Sequence, residues 1–569
     1  MATITYLPDD VIVIILENKS ISLEDIMNFK STCKRFQQIT LSNKFWEKKY
    51  YQSCPTAEKK YDTEKQKQIF HHIDFKERMK AGLYCIQRLQ YYEFVMSENK
   101  LRNTDKEQLE HLLRLIAENS MVYYLVWDEI NRISAQKSCK LFSNLTREYN
   151  IKLIFYYLKQ YRFIYKQMKF INKPKTKLLL EKQLTIVAQH FQPHVSYSGV
   201  KMWLNGIAQT ILCRLKSKYP AHSILSTTLE QFSFWRDNNI DDNFWNETES
   251  KQIMCILEEY IFSELEIYEF HHLLKALDLE AKYIKYIAGC FRIYLLTVAY
   301  HIVARRLGIR SVLRTHGIVI AIIWKPKYNT HNWDNAEYFF MNQNYSLFYP
   351  SNIIRGRYPS NEHLLMESSE YIWLTREIMI IYRIKLECYH NIYCKWNFKI
   401  FNFKYKNITN TIEVRSNAVK KPLKRRTKNV KFAVGMIVRH TWQDYSCIHN
   451  HDGIIIGWHR KCDRMLRDKL DKTIMLPYLR QCSEHYHICE CQQFSASAHQ
   501  VHYIILAENN RICYVQQDQL SICSPKKINN IEIGRYFSSF EGTYYIPNES
   551  LRKHYPNDTA AIAKILVKQ

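Results

Sequence analysis

The period of the apolar positions changes twice along the chain. From Tyr6 to Trp46 it is helical and short-ranged. Pro8 followed by Asp9 and Asp10 suits a helix start, where a missing N–H costs nothing and two carboxylates face the helix dipole. Val11, Ile12, Ile15 and Leu16 then fall on one face. A second start lies at Ser22, with Asp25 three residues on as a capping box, and Leu23, Ile26 and Met27 continue the spacing. Thr32 to Phe36 begins a third short helix, and Phe45-Trp46 closes the segment with bulk. Three helices of this size are too small to bury a sizeable core alone. Helical periodicity continues in Ile151 to Phe170, Lys177 to Ala188, Met202 to Leu215, Gln252 to Tyr268 and Tyr283 to Leu307, broken at Pro174, Pro193, Pro220 and Asn238-Asn239. After Gly308 the pattern shortens to strand-like runs, Gly317 to Trp324 and Tyr338 to Met341, and returns to helix from Tyr371 to Leu386. This is the layout of a helical layer on a small sheet.

The second change follows the basic run Lys420-Lys421-Pro422-Leu423-Lys424-Arg425-Arg426-Thr427-Lys428, which reads as a linker, an import signal or a phosphate-contacting arm. Beyond it four strand-like runs appear, Phe432 to His440, Gly453 to Trp458, His502 to Leu506 and Ile512 to Val515, the last two joined as a hairpin. Short strands with glycines at bends predict a small closed barrel. The fold class is therefore multidomain α+β, mainly helical in the N-terminal and central regions, with a small C-terminal β-barrel.

Composition agrees with folded cores: 46% of the 569 residues are apolar and 14% aromatic. With only 12 glycines and 13 prolines, long glycine-rich phosphate loops are disfavoured. Met1 to Thr5 lacks a basic and an apolar signal region, so the 16 cysteines are expected as reduced thiols in cytoplasm or nucleus. Apolar runs such as Ile293 to Val303 are too short to span a membrane, and the chain reads as soluble. The net charge is +26, yet Lys and Arg against Asp and Glu number 7 and 6 in residues 1–50, and 9 and 9 in 432–524. A balanced barrel argues against DNA binding, where phosphate neutralisation dominates affinity.

The run Leu7-Pro8, Ile15-Leu16, Leu23, Asp25-Ile26, Cys33 to Phe36 and Trp46 resembles the F-box. In that family an apolar face inserts into the Skp adaptor of a cullin-RING ubiquitin ligase. The resemblance implies Leu7, Pro8, Val11, Ile15, Leu16, Leu23 and Ile26 as adaptor contacts. The C-terminal strands, through Val434-Gly435, Val438-Arg439-His440, Gly453, Gly457-Trp458, Tyr503 and Tyr514 to Leu520, are similar to the hemimethylated-DNA-binding (YccV-like) family. A ligand face on that barrel would use Arg439, His440, Trp458 and Tyr503. With a transglutaminase-like middle, these parts resemble one group of F-box proteins. The expected domains are an F-box at 1–50, a helical, degenerate transglutaminase-like region at 51–412, a basic linker at 413–431, the barrel at 432–524 and a tail at 525–569 packing on it.

Two stretches carry candidate chemistry. Cys290 before a long apolar helix, with His316 expected at the start of a strand, is similar to a transglutaminase-like thiolate and its base. Cys290 lies a turn early against that register, whose position is Ile293, and only Asp334 offers to orient the histidine. Cys482, His485, His487, Cys489 and Cys491, with His499 and His502 nearby, are dense enough in soft ligands for zinc. Their spacing matches no familiar finger, and the resembling family does not use zinc, so no metal or cofactor is expected. The expected function is a non-catalytic substrate receptor of a ubiquitin ligase, its partners a Skp adaptor, a cullin scaffold and protein substrates. A DNA-binding protein acting through the barrel and a cysteine hydrolase are the alternatives.

Overall fold

A computed structural model describes residues 6–18, 20–61, 73–98, 100–137, 144–191, 193, 195–265, 296–316, 319–328, 336–341, 353–357, 423–443, 448–461, 500–508, 511–530 and 532–567. The chain forms two compact units that do not follow its linear order. The first comprises residues 1–58, 63–161 and 382–569, and the second residues 59–62 and 162–381.

In the first unit, α1 (Asp9–Glu17), α2 (Leu23–Thr32), α3 (Lys34–Ile39) and α4 (Asn43–Ser53) form the N-terminal cluster. Ser22 and Asp25 close the capping box at α2, the Asp25 N–H donating to Ser22 Oγ at 3.0 Å and the Ser22 N–H to Asp25 Oδ2 at 3.2 Å. Ile12, Leu16, Ile26, Phe36, Phe45 and Trp46 are buried, and Phe29 stacks on Phe36 with centroids 3.9 Å apart. So small a core needs support, and the helices that follow provide it. These are α5 (Pro55–Tyr61), α6 (Phe75–Ser97), α7 (Asn103–Glu118) and α8 (Ser120–Lys137). The Tyr50 hydroxyl of α4 donates to Met121 O at 3.0 Å, its ring lies 5.7 Å from that of Phe75, and the Thr56 N–H donates to Asp128 Oδ2 at 2.9 Å. Helices α6 and α8 approach closely at Gly82, where a Cβ would lie 2.2 Å from Leu125 Cδ2. The boundary between units falls inside α9 (Leu145–Ile171).

The second unit holds α10 (Leu180–Phe191), α11 (Tyr197–Lys218), α12 (Leu229–Asp237), α13 (Glu247–Glu258) and α14, the helical stretch 296–306. These lie with the antiparallel meander β1 (Val312–His316), β2 (Val319–Trp324), β3 (Glu337–Met341) and β4 (Ile353–Arg357). Ile211, Leu215, Ile253, Leu257, Val303, Leu307 and Trp324 share its core, a helical layer on a sheet as the periodicity predicts. The helix expected over 371–386 lies outside the described residues.

The C-terminal sheet completes the first unit. Strands β5 (Ile437–Gln443), β6 (Ile448–His459), β7 (His502–Ala507), β8 (Arg511–Gln516) and β9 (Leu520–Ile522) pair antiparallel in the order β8-β7-β6-β5-β9. Its two edges, β8 and β9, are joined by the single turn Gln517–Gln519, so the sheet must curl until they nearly meet. Among the described residues the seam is bridged by this turn and not by a β8–β9 ladder. The first strand starts five residues later than its apolar run. Gly435, at φ +99°, turns the chain so that its N–H donates to Ile455 O and its carbonyl accepts from the Tyr545 N–H, both at 2.9 Å. The tail adds α15 (Ile533–Tyr536), the hairpin β10 (Phe537–Phe540) and β11 (Tyr545–Pro547), α16 (Glu549–His554) and α17 (Asp558–Val567). Ile533, Phe537, Tyr545, Tyr555 and Ile562 lie in one core with Val438, Ile454, Trp458 and Tyr503.

Candidate functional site

Helix α1 has two apolar sides. Ile12 and Leu16 turn inward with Ile26, while Val11, Ile14 and Ile15 face outward at three- and four-residue spacing. Exposed Pro8 and half-buried Leu7 precede them, and Tyr6 and Ile14 are 82% and 67% exposed. Large apolar side chains gathered on one outward face mark an interaction surface more often than chance exposure. Arg35 fixes the approach to it. Its Nε donates to Asp9 Oδ1 at 2.9 Å, and its Nη2 donates to that oxygen and to Leu7 O, each at 2.6 Å. At the far end of the helix, Lys48 pairs with Glu17 at 2.5 Å and Lys49 Nζ donates to Asn18 O at 2.7 Å.

Of the expected adaptor contacts, the structure brings Leu7, Pro8, Val11 and Ile15 to one surface. Leu16 and Ile26 lie beneath it and support it. Leu23 begins α2. Sequence reading left out Tyr6 and Ile14, although Ile14 continues the spacing from Val11. The cause is that Val11 to Leu16 is apolar throughout, so periodicity names no outward side.

The expected ligand face of the C-terminal sheet does not form. Trp458 and Tyr503 are core residues: Trp458 Nε1 donates to Asp558 Oδ2 at 2.9 Å, and the Tyr503 hydroxyl donates to Gln517 Oε1 at 2.9 Å while accepting from the Phe432 N–H at 3.0 Å. Burial pushes the Tyr503 phenol up to about 12. His440 is also buried, because successive residues of β5 point to opposite faces, and only Arg439 reaches out. Arg439 is committed to Asp452, directly opposite it in the ladder, with Nε–Oδ1 at 2.7 Å and Nη2–Oδ2 at 3.0 Å. Those hydrogen bonds hold the Asp452 carboxyl well below its usual range, with Lys526 at 2.7 Å adding to the effect.

Part of the basic stretch is likewise folded onto this region, not a free linker. Lys424 Nζ donates to Trp458 O at 2.9 Å, and its N–H to His554 O at 3.0 Å. Arg426 donates to the carbonyls of Phe432, Val430 and Lys431 at 2.6–3.1 Å and lies 3.6 Å from Asp558. Arg425 and Lys428 are exposed; Lys420 and Lys421 lie outside the described residues.

The middle unit brings no catalytic set together among the described residues. Cys290, Ile293 and Asp334 lie outside them, and His316 ends β1, opposite Val319, instead of starting a strand. Arg305 and Arg306, at the end of the helical stretch 296–306, clamp buried Glu181 at 2.5 and 3.0 Å. His301 Nδ1 lies 2.9 Å from Ser311 Oγ, and burial pushes its imidazole down to about 4. Cys482, His485, His487, Cys489, Cys491 and His499 are outside the described residues. His502 is buried on β7, its Nδ1 2.9 Å from Gln500 O. No helix among the described residues is long and apolar enough to cross a membrane.

Comparison with known proteins matches residues 4–48 to the F-box domain and residues 430–544 to the family described as hemimethylated DNA-binding protein YccV like. The chain is similar to F-box only protein 21 of Pongo abelii and of Homo sapiens, 30% identical over 134 residues in each case, and to that of Mus musculus, 29% identical over 134 residues. The matched segment is 23% of this chain and covers 18%, 17% and 17% of the three relatives, under a fifth of their length. No solved structure matches. The two family matches lie on either side of the transglutaminase-like resemblance and do not bear on it.

Proposed function

We propose that the chain is the substrate-recognition subunit of a Skp-cullin-F-box ubiquitin ligase. The observation that carries this reading is the outward apolar face of Leu7, Pro8, Val11, Ile14 and Ile15 on a segment matched to the F-box. A Skp adaptor covers that face, a cullin scaffold binds through the adaptor, and the chain performs no bond chemistry. Its contribution is proximity: holding a substrate lysine near a charged ubiquitin carrier raises the effective concentration of the reacting amine. A DNA-binding role through the YccV-like region is less well supported, because Arg439, Lys424 and Arg426 already serve carbonyl and carboxylate partners within the fold.

The test separates the outward side of α1 from the inward one. In the full chain, Val11→Asp with Ile14→Asp should abolish capture of purified Skp adaptor while the melting temperature stays within a degree or two. Leu16→Ala should instead cost about 2–5 kcal/mol of stability, as buried leucine truncations do. Adaptor capture that survives the double aspartate substitution would end this reading.

A further inference from the structure

Among the described residues, helix α6 presents a second exposed face, distinct from that of α1. Lys76, Lys80, Tyr84, Arg88, Tyr91 and Phe94 recur at three- and four-residue spacing along it, a stripe about 27 Å long at the rise of an α-helix. Tyr84, Tyr91 and Phe94 are 60%, 43% and 51% exposed, and the Arg88 guanidinium lies 5.2 Å from the centroid of the Tyr91 ring. The opposite side, with Met79, Gly82, Cys85, Leu89, Tyr92 and Val95, faces the bundle. Aromatic rings and arginine are the side chains that dominate protein interfaces.

The charge along the stripe is net positive: Glu77 pairs with Lys80, Arg88 Nη2 donates to the Tyr92 hydroxyl at 2.8 Å, and Lys76 and Arg88 have no acid paired with them among the described residues. Between residues 78 and 97 the helix carries one acid, Glu93, which is buried and held by Arg147 Nε and Nη2 at 2.8 and 2.7 Å. At its N-terminal end, Lys30 of α2 joins Lys76 and Lys80. Burial first, and then these two ammonium groups, push the Lys30 amine down, so like charges gather there with Glu77 as the acid beside them. A complementary surface is therefore acidic at that end and apolar towards the other.

We propose that this stripe docks an acidic amphipathic helical segment of the ubiquitination substrate. The proposal rests on the receptor function above and adds the chemistry of what is received. Tyr84, Tyr91 and Phe94 are the apolar anchors, and Lys76, Lys80 and Arg88 meet carboxylates flanking them. Because Tyr50 and Phe75 pack α4 against the start of α6, a segment on the stripe is held at a fixed distance from the adaptor face.

The experiment uses the full chain and a fluorescein-labelled helical peptide of about five turns, the length of the stripe, rich in glutamate with leucines three and four apart. A counterpart carries lysine in place of glutamate. The glutamate peptide should bind, with affinity falling as salt rises, and the lysine peptide should not. Tyr91→Ala with Phe94→Ala should weaken binding at least about tenfold, and Arg88→Glu should do the same. Adaptor capture and melting temperature, measured on the same variants, report whether the fold persists. Equal binding of both peptides, or glutamate-peptide binding unchanged in both variants, overturns the inference. So does a dimer of the wild-type chain that the stripe substitutions dissociate. Loss of adaptor capture by Val11→Asp with Ile14→Asp, with peptide binding intact, keeps the two readings separable; a failed peptide assay with normal adaptor capture removes this inference alone.

Discussion

Replacing Asp558 by alanine should loosen the C-terminal region more than any exposed substitution in it. The carboxylate sits at the start of α17 with no exposed surface, and its Oδ2 accepts from the Val434 N–H at 2.8 Å and from Trp458 Nε1 at 2.9 Å. Alanine leaves both donors buried without an acceptor. At about 1–3 kcal/mol for each stranded donor, the expected cost is about 2–6 kcal/mol. Arg426 keeps its three carbonyl acceptors and adds little to that figure. Asparagine retains the accepting oxygen and has no charge to desolvate, so Asp558→Asn should stay within about 1 kcal/mol of the natural residue. Burial raises the Asp558 carboxyl above its ordinary value. The folded chain therefore holds this proton more tightly than the unfolded one, and the contribution to stability declines as pH rises from the unfolded carboxylate value through the raised folded one. Melting curves and hydrogen exchange of the Val434 and Trp458 groups read both effects. An alanine cost under about 1 kcal/mol, or an asparagine cost equal to that of alanine, would mean that the Val434 and Trp458 donors do not depend on this oxygen.

Two further outcomes follow from the same region. Asp452 has the opposite sign: its depressed folded pKa supplies stability that is complete above the unfolded carboxylate value and is lost as pH falls below it. Melting temperatures between pH 2 and 6 should thus fall less steeply for Asp452→Asn than for the natural chain, and parallel curves would count against the Arg439–Asp452 pairing. Duplex DNA titrated with the chain should show no steep salt dependence attributable to Arg439 or Lys424; a slope falling by about 0.9 for each of these residues neutralised would mean that they contact phosphate.

Where side chains follow a single period against a polar background, the sequence carried the structure. The capping box at Ser22, helices α10, α11 and α13 and the β7–β8 hairpin follow from spacing, whereas α12 (Leu229–Asp237) did not stand out. The outward side of α1 did not, since an all-apolar hexapeptide conceals which half is solvent-facing. Nor did the fate of Trp458 and Tyr503: an aromatic with a polar tip suits a ligand face or a satisfied core equally, and only the tail, which supplies Asp558 to the indole, decides it. Lys424 and Arg426 read as solvated charge because their acceptors are backbone carbonyls, which leave no mark in a sequence. The strand expected from Phe432 starts late because a buried bend and a buried strand have the same composition, and Gly435 was the available hint.

The first unit is closed by residues made long after it begins. Thr146 Oγ1 donates to Phe537 O at 3.0 Å, a contact across 391 positions, and Gly534 sits so close to Leu145 O that a Cβ there would lie 2.1 Å away. At roughly 5–20 residues per second a ribosome needs on the order of 20–80 s between those partners. Throughout that interval the nascent chain has completed α1 and its neighbours but lacks the surface that seals α9. A chain stalled in the middle unit would thus carry its N-terminal helices on an unfinished body, with the apolar side of α9 uncovered. A chain that ends before the tail therefore leaves bare the stretch of α9 around Leu145 and Thr146 that Gly534 and Phe537 would cover.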